Sequence, residues 1–302
     1  MNVFVAGASG AIGRPLVAEL VRRGHAVTGM TRSDAGATAL ADLGAAASPV
    51  SAFDAPGLER ALRESEAEVV VDELTALPKS PADMAAAAEG DRRLRLEGGG
   101  NLLAAAQRCG ARRYVQQASG FFLRPGPGLG DETEGLALDA SPGVAASART
   151  YAELEARLLA AGDIEGVALR YGFFYGPGTW YHPDGASADQ ARRGELPVVG
   201  DGGGVWSWVH IDDAAVATAD ALAVPPGVYH VVDDDPSPVS VWLPAFARAV
   251  GAPPPPRVTV EQALAAAGKD AVYYGTRLRG ASNARAKRVF GFRPRRLEWL
   301  TA

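Results

Sequence analysis

The chain has 302 residues, of which 47% are hydrophobic and 22% are charged. A chain of this length buries a core without disulfide bonds, and the composition is typical of a globular protein rather than a disordered or fibrous one. Because 30 Lys and Arg residues stand against 35 Asp and Glu residues, the net charge is −5. This charge disfavours nucleic acids and anionic membranes as partners.

The N-terminal segment does not resemble a targeting signal. Its apolar run, NVFVAG, is short and lacks the basic residues that precede the apolar stretch of a signal peptide. No apolar run elsewhere has the length of a membrane span. A single cysteine, Cys109, leaves no internal disulfide, and no His, Cys, Asp and Glu residues show metal-ligand spacing. We expect a cytoplasmic protein without a metal site.

The first half of the chain alternates strand patterns with helical patterns. Strands are predicted at NVFVAG, HAVTGMTR, AEVVVDEL, RRYVQQAS and GVALRYG, and helices at PLVAELVRRG, GATALADLG, GLERALRES, NLLAAAQRCG and TYAELEARLLAAG. Such alternation predicts an α/β fold, a doubly wound parallel Rossmann sheet of about six strands. After Gly172 the sequence becomes richer in loops, and helices and one further strand, GVYHVV, are predicted between them. We therefore assign residues 1–172 to a nucleotide-binding domain and 173–302 to a smaller C-terminal substrate lobe interleaved with the end of the sheet.

A glycine-rich segment directly follows the first predicted strand and precedes a helix. Gly7 allows a tight turn, Gly10 lets the backbone approach a pyrophosphate, and Gly13 permits close packing of helix against strand. Free N–H groups at the start of the helix then face the anion. This context predicts a dinucleotide-binding loop, whose cofactor-binding residues are Gly7, Ser9, Gly10, Ala11, Ile12 and Gly13.

The end of the second strand indicates which dinucleotide is bound. An NAD site is expected to carry an acidic residue there, which accepts hydrogen bonds from the ribose 2′-hydroxyl. This chain has Arg32 instead, in Met30-Thr31-Arg32-Ser33, and a guanidinium suits a 2′-phosphate. The sequence therefore predicts NADP(H) as the cofactor, unless Arg32 is only a solvated loop charge.

Several segments together resemble the extended (atypical) branch of the short-chain dehydrogenase/reductase superfamily, the NAD-dependent epimerase/dehydratase-like family. They are the glycine loop, VRRGHAVTGMTRS, FDAPGLERAL, NLLAAAQRCGARRYVQQAS, LRYGFFYGPGT and WSWVHIDDAA. The resemblance covers nearly the whole chain. It implies that Ser119 and Tyr151 are the catalytic Ser and Tyr, that Asp54 approaches the adenine, and that further cofactor contacts come from Leu74, Thr75, Ala76 and Tyr171.

The chain departs from the family pattern at the proton relay. The family pairs the Tyr with a Lys four residues later, whereas this chain has Glu155 one helical turn after Tyr151. A carboxylate there is expected to oppose ionisation of the phenol, and a lysine introduced at this position to favour it. The family's asparagine on the preceding helix corresponds here to Arg95. Tyr151 could still polarise a carbonyl as a neutral donor, with Ser119 as a second donor, or it could simply pack against the sheet.

The second half of the chain concentrates aromatic residues in loop-like sequence. Such a concentration favours a flat or apolar ligand, although some of the rings must pack the lobe onto the Rossmann domain. Trp206-Ser207-Trp208 replaces the Arg with which related sugar-nucleotide enzymes grip a diphosphate, so a nucleotide-sugar substrate is disfavoured. His182 and His210 are more simply structural than catalytic. We expect the substrate to contact Phe121, Phe174, Tyr175, Trp180 and Trp206.

These features favour an NADP(H)-dependent oxidoreductase that acts on a small, non-nucleotide, aromatic or polyketide-like carbonyl compound. The enzymatic alternative is an epimerase or dehydratase with tightly bound cofactor, which needs an efficient base as well as hydride transfer. The non-enzymatic alternative is an NADP-sensing binding protein. The expected partner is a small molecule, and a homodimer stays open.

Overall fold

The computed structural model describes residues 1–301. From the N-terminus to residue 171, strands and helices alternate. They are β1 (Asn2–Ala6), α1 (Gly13–Arg22), β2 (Ala26–Met30), α2 (Asp34–Asp42), β3 (Ala46–Ser48), α3 (Ala55–Glu64), β4 (Val69–Asp72), a 3₁₀ turn (Pro81–Asp83), α4 (Met84–Arg93), a π-helical turn (Leu94–Gly98), α5 (Gly99–Arg108), β5 (Arg113–Ser119), α6 (Pro142–Leu159) and β6 (Glu165–Tyr171).

The remainder of the chain has shorter strands. They and their helices are β7 (Phe173–Tyr175), α7 (Ala186–Arg192), β8 (Val198–Val199), β9 (Val205–Trp206), β10 (Trp208–His210), α8 (Ile211–Asp220), β11 (Gly227–Val231), β12 (Ser237–Pro238), α9 (Val239–Ala249), β13 (Arg257–Val258), α10 (Val260–Thr276), α11 (Ala284–Phe290) and α12 (Glu298–Thr301).

Seven strands form one parallel sheet in the order β11-β6-β5-β4-β1-β2-β3. The strand order reverses between β1 and β4, and ligands of doubly wound sheets bind at the carboxyl ends of the strands beside such a switch point. The predicted Rossmann fold is confirmed, with one strand more than expected. The strand that was not predicted is β3, between α2 and α3, whereas β11 matches the strand predicted at GVYHVV and enters the sheet from the second half of the chain. The assigned boundary at residue 172 stays a prediction.

Apolar side chains cover both faces of this sheet. Within β1, Phe4 belongs to the core under α3, α5 and α6, whereas Val3 and Val5 belong to the core under α1 and α8. This division follows from the two-residue side-chain period of a strand. A third core, built around Trp208, Trp242 and Phe246, lies in the C-terminal part. None of the helices in residues 1–301 has the length and apolar character to cross a bilayer.

Candidate functional site

The glycine loop lies between the end of β1 and the start of α1. Gly7 has a φ of +82°, and a β-carbon there would overlap the backbone of Glu73 at the end of β4. A β-carbon on Gly13 would overlap the carbonyl oxygen of Gly7. A β-carbon on Gly10 would meet only that same oxygen, at 3.1 Å. The first and third glycines are therefore required by packing, whereas the space over Gly10 is open to a ligand.

This loop has the properties of an anion cradle. Ser9, Gly10 and Ala11 are exposed at the carboxyl edge of the sheet. Ile12, the N-cap of α1, provides no side-chain hydrogen bond. The Arg14 N–H donates to the Gly10 carbonyl at 3.2 Å and Pro15 has no N–H, which leaves the Gly13 N–H at the start of the helix for a phosphate. Arg32 follows β2, is exposed, and forms no salt bridge with any residue in 1–301. These features fit a dinucleotide whose pyrophosphate lies over Gly10, and the individual contacts stay predictions.

The loop after β4 is held by two aspartates. Asp72 accepts a hydrogen bond from the Leu74 backbone N–H at 3.1 Å, and Asp91 accepts one from the Ala76 N–H at 2.6 Å. Leu74 is buried, Thr75 is half-buried, and Ala76 is exposed. The loop that was predicted to line the cofactor is thus fixed in place near the switch point. Its contacts with a cofactor remain untested.

Asp54 also has a structural explanation. Its carboxylate accepts a hydrogen bond from the Gly57 N–H at 3.0 Å and so caps α3. Its side chain is exposed, so this cap leaves the predicted approach to the adenine open.

Ser119 ends β5 at the carboxyl edge of the sheet. Its side chain is buried, and its Oγ has no hydrogen-bond partner among the described residues. A buried hydroxyl without a partner costs about 1–3 kcal/mol. The oxygens and amides of Gln116 and Gln117 on the same strand include further buried atoms without partners. Such a group of unsatisfied polar atoms is typical of a ligand site, although Ser119 can touch a substrate only if the residues that cover it move.

Tyr151 lies in the middle of α6 with its side chain 9% exposed. Its ring packs beside that of Phe122, at 5.8 Å between centroids, and under the guanidinium of Arg95, at 5.2 Å from Cζ to the centroid. Burial raises the pKa of the Tyr151 hydroxyl above its usual range; Arg95 opposes this shift, and Asp91 and Glu155 add to it. The phenol is therefore protonated at neutral pH.

Glu155 differs from its expected role. Its carboxylate forms a two-pronged ion pair with Arg170 on β6, in which both N–O distances are 2.7 Å. Both side chains are at least nine-tenths buried. Glu155 adds less than Asp91 to the raised Tyr151 pKa, and its charge is paired with that of Arg170. A lysine at position 155 would face Arg170, so the expectation that it would assist Tyr151 is not supported by this geometry.

A second buried acid, Glu73, was not singled out in the sequence. It follows β4, and its Oε1 accepts a hydrogen bond from the Tyr171 hydroxyl at 2.9 Å, while that hydroxyl is also 2.7 Å from the Thr218 Oγ1. Burial raises the pKa of Glu73 to about 8, and the neighbouring Asp72 adds to the shift. Tyr171 is buried in this chain of hydrogen bonds. Its side chain therefore has a structural role, and the predicted cofactor contact remains untested.

The aromatic residues mostly pack on one another. Phe173 stacks between Phe121 and Trp206, with centroids 4.0 Å from each. Tyr175 is buried, with its ring against Trp299 at 5.0 Å. The structure thus gives packing roles to part of the predicted substrate set, as the sequence analysis allowed. Phe121 and Trp206 remain partly exposed.

Trp180 and Phe174, two further residues predicted to contact the substrate, lie in different parts of the structure. Trp180 donates a hydrogen bond from Nε1 to the Pro78 carbonyl at 3.1 Å and so joins the lobe to the loop after β4. Phe174 packs against Tyr171 on the opposite core. His210, expected to be structural, caps α8 by accepting a hydrogen bond from the Asp212 N–H. His182 accepts a hydrogen bond from the Asp184 N–H at 3.3 Å.

A basic cleft opens at the N-terminal end of α6. It holds about 920 Å³ of space, including part of the open solvent. Leu136, Val272 and Tyr273 give it an apolar floor, and it is rimmed by Arg124, Lys269, Arg277 and Asp139. Tyr151 lies roughly 14 Å further along the helix, at 1.5 Å per residue. This cleft was not predicted, because its cations come from distant segments of the chain.

Comparison with known proteins agrees with this architecture. The model of the NAD dependent epimerase/dehydratase family matches residues 3–231. A 3-diazoavenalumate denitrifying reductase from Streptomyces sp is 43% identical over 99% of this chain and 98% of its own. A 2-alkyl-3-oxoalkanoate reductase from Stenotrophomonas maltophilia (strain K279a) is 29% identical over 84% of this chain and 77% of its own.

The same relationship is found among solved structures. The UDP-glucose 4-epimerase of Thermus thermophilus, solved in complex with NAD, superposes with a TM-score of 0.75 and 26% identity, over 98% of this chain and 94% of that one. The family resemblance noted in the sequence is confirmed. The protein is an enzyme of the oxidoreductase type that uses a nicotinamide nucleotide and a small-molecule substrate. The chain belongs to the NAD-dependent epimerase/dehydratase family.

Proposed function

We propose that the protein is an NADP(H)-dependent reductase in which Tyr151 supplies a proton to the reduced substrate. The observation that carries this proposal is the state of Tyr151, a buried phenol whose pKa is raised by burial. When bound, the reduced nicotinamide supplies the hydride. The chain then has to supply the proton and hold the substrate, and a protonated phenol is suited to the first task.

The surroundings of Tyr151 favour reduction over epimerisation or dehydration. Those reactions need a base that removes a proton. Tyr151 has no lysine one turn away, and the acid at that position, Glu155, is held by Arg170. Arg95 lowers the Tyr151 pKa but does not offset the effect of burial, so Tyr151 stays protonated and is not an efficient base at neutral pH. A proton donor has no such requirement.

The preference for NADP(H) rests on Arg32. It is exposed at the end of β2, the position where an acidic residue would bind the ribose of NAD. A guanidinium there would pair with the 2′-phosphate of NADP(H) through charge-assisted hydrogen bonds.

The substrate we propose is a small diazo compound that carries a carboxylate. The relative from Streptomyces sp, 43% identical over almost its whole length, is named for the reduction of a diazo compound with loss of nitrogen. Both named relatives act on carboxylates, as their names state. The basic cleft suits that group, since Arg124, Lys269 and Arg277 border an apolar floor. The partly exposed rings of Phe121 and Trp206 suit an unsaturated body.

The proposed reaction balances with the groups at hand. The Tyr151 hydroxyl gives its proton to the carbon that carries the diazo group of a neutral diazo compound, and a second carbon–hydrogen bond forms at that carbon from the hydride that NADPH would supply. The carbon–nitrogen bond breaks with its electron pair leaving in dinitrogen, so that two hydrogens replace the diazo group. The NADP-sensing alternative has less support, because a sensor needs neither a buried phenol nor the unsatisfied Ser119 hydroxyl beside the sheet edge.

The test is to incubate the protein with NADPH and 3-diazoavenalumate and to measure cofactor oxidation and dinitrogen release. We expect one mole of each per mole of substrate, and a loss of about 100-fold or more in kcat for Tyr151→Phe. A 3-oxoalkanoate serves as the second substrate. Reduction of the 3-oxoalkanoate alone would replace the diazo proposal with carbonyl reduction. No oxidation of NADPH with either compound, in a protein that binds NADPH, would contradict the reductase proposal.

A further inference from the structure

Arg95 is a buried arginine in an unusual backbone element. It lies in the π-helical turn between α4 and α5, with its side chain 6% exposed. Single π-helical turns within α-helices are frequent at functional sites. Burying a guanidinium is costly unless it is paired, so the position of this charge calls for an explanation.

The contacts of Arg95 connect two parts of the site. Its Nε donates to the Asp91 carboxylate at 2.7 Å, and the other Asp91 oxygen accepts from the Ala76 N–H at 2.6 Å. Asp91 therefore ties the arginine to the loop after β4. On the other side, the guanidinium lies over the Tyr151 ring at 5.2 Å from Cζ to centroid, within the range of a cation–π contact.

The charges around Tyr151 leave Arg95 as its one nearby cation within residues 1–301. From its own helix, Glu155 faces Tyr151 but is paired with Arg170. From α4 comes Asp91, which is paired with Arg95 itself. From α10 comes Tyr274, a neutral phenol whose pKa is also raised by burial. Of the groups that act on the Tyr151 pKa, Arg95 is the one that lowers it.

We propose that Arg95 is a positioning residue that takes the place of the absent lysine at position 155. Its guanidinium holds the Tyr151 ring and stabilises the phenolate that forms when Tyr151 gives up its proton. Stabilisation of charge that develops in the transition state accelerates the step, whereas the protonated ground state gains less. This inference rests on the proposed function, because it requires Tyr151 to be the proton donor.

The experiment replaces Arg95 with Met, which removes the charge, and with Lys, which retains it. With NADPH and 3-diazoavenalumate, Arg95→Met is expected to lower kcat by roughly 10- to 100-fold, as for the loss of a cation that lies 5.2 Å from the centroid of the reacting phenol ring. KM is expected to change little. Arg95→Lys is expected to restore most of kcat, although it loses the planar contact with the ring.

A matched control and a double variant separate this role from a merely structural one. Arg93→Met removes an arginine of the same chain segment that also lies over a ring, that of Phe53 at 4.6 Å, but on the surface. It is expected to leave kcat unchanged. In a Tyr151→Phe background, Arg95→Met is expected to change the residual kcat by less than about twofold, because the two residues act as one unit.

The outcomes distinguish the inference from the proposed function. A raised KM with an unchanged kcat in Arg95→Met would mean that Arg95 holds the substrate and would overturn the positioning role. The positioning role would also be overturned if Arg95→Met lowered kcat equally in the parent protein and in the Tyr151→Phe background. It would be overturned as well if Arg95→Lys kept the NADPH affinity and melting temperature of the parent protein but did not recover kcat. An inactive parent protein would instead count against the proposed function.

Discussion

The ion pair between Glu155 and Arg170 makes a strong prediction about stability. Replacing Glu155 with Gln leaves Arg170, 5% exposed, as a buried charge without its partner. Breaking such a pair costs about 3–5 kcal/mol, a large part of the roughly 5–15 kcal/mol that stabilises a typical domain. At roughly 2–4 °C per kcal/mol for a chain of similar size, the melting temperature should fall by about 10 °C. The melting temperature of Glu155→Lys should fall at least as far, because this substitution adds a second cation beside Arg170.

The assay is thermal and urea unfolding followed by circular dichroism, with Glu153→Gln as the matched control. Glu153 lies on the same helix, is exposed, and should change the free energy of unfolding by less than about 0.5 kcal/mol when replaced. The double variant Glu155→Gln, Arg170→Met should recover part of the loss, since it removes both charges. If Glu155→Gln has the melting temperature of the parent protein, the ion pair does not hold α6 to β6 and our account of Glu155 is wrong.

Three further predictions concern the cofactor loop and the buried acid. Gly10→Val should fold but lose NADPH affinity in fluorescence titration. Gly13→Ala should lose stability as well, because a β-carbon at Gly13, unlike one at Gly10, overlaps backbone atoms. Arg32→Ala should weaken NADPH binding by about tenfold or more and leave NADH unaffected; equal losses would refute the 2′-phosphate contact. Burial raises the Glu73 pKa from 4.5 to about 8. The protonated Glu73 side chain therefore stabilises the fold fully below the unfolded-state pKa of 4.5, and this stabilisation is lost as the pH rises through the folded-state pKa of about 8. Relative to Glu73→Gln, the parent should lose roughly 1.4 kcal/mol per pH unit in that window, and a constant difference in urea unfolding would contradict this.

The features that sequence predicts well are local ones. The glycine loop follows from three residues within a seven-residue segment, of which Gly7 and Gly13 have no room for a side chain and Gly10 leaves its space open to a ligand. The alternation of strand and helix patterns is also local in the sequence, and it predicts the parallel sheet. The strand that was missed is β3, because it has only three residues, Ala46–Ser48, of which two are exposed, so no alternation of apolar and polar residues marks it.

The features that sequence missed depend on contacts between distant segments. Glu155 was expected to face Tyr151, but its partner Arg170 lies on the next strand and was not recognised as such. Arg95 was noted only as a departure from the family pattern, because the π-helical turn that places it over Tyr151 leaves no signal in the residue types. Glu73 did carry a signal, an acidic pair at the end of the apolar strand VVVDEL, where buried charge is rare.

The most direct test of the central claim is the pH dependence of kcat/KM for the reduction of 3-diazoavenalumate by NADPH. A protonated Tyr151 with a raised pKa predicts a rate that does not increase between about pH 6 and about pH 9, and a uniformly low rate for Tyr151→Phe. A rate that rises with pH in the parent protein, with a rise that disappears in Tyr151→Phe, would show that Tyr151 works as a base and would contradict its role as the proton donor of a reductase.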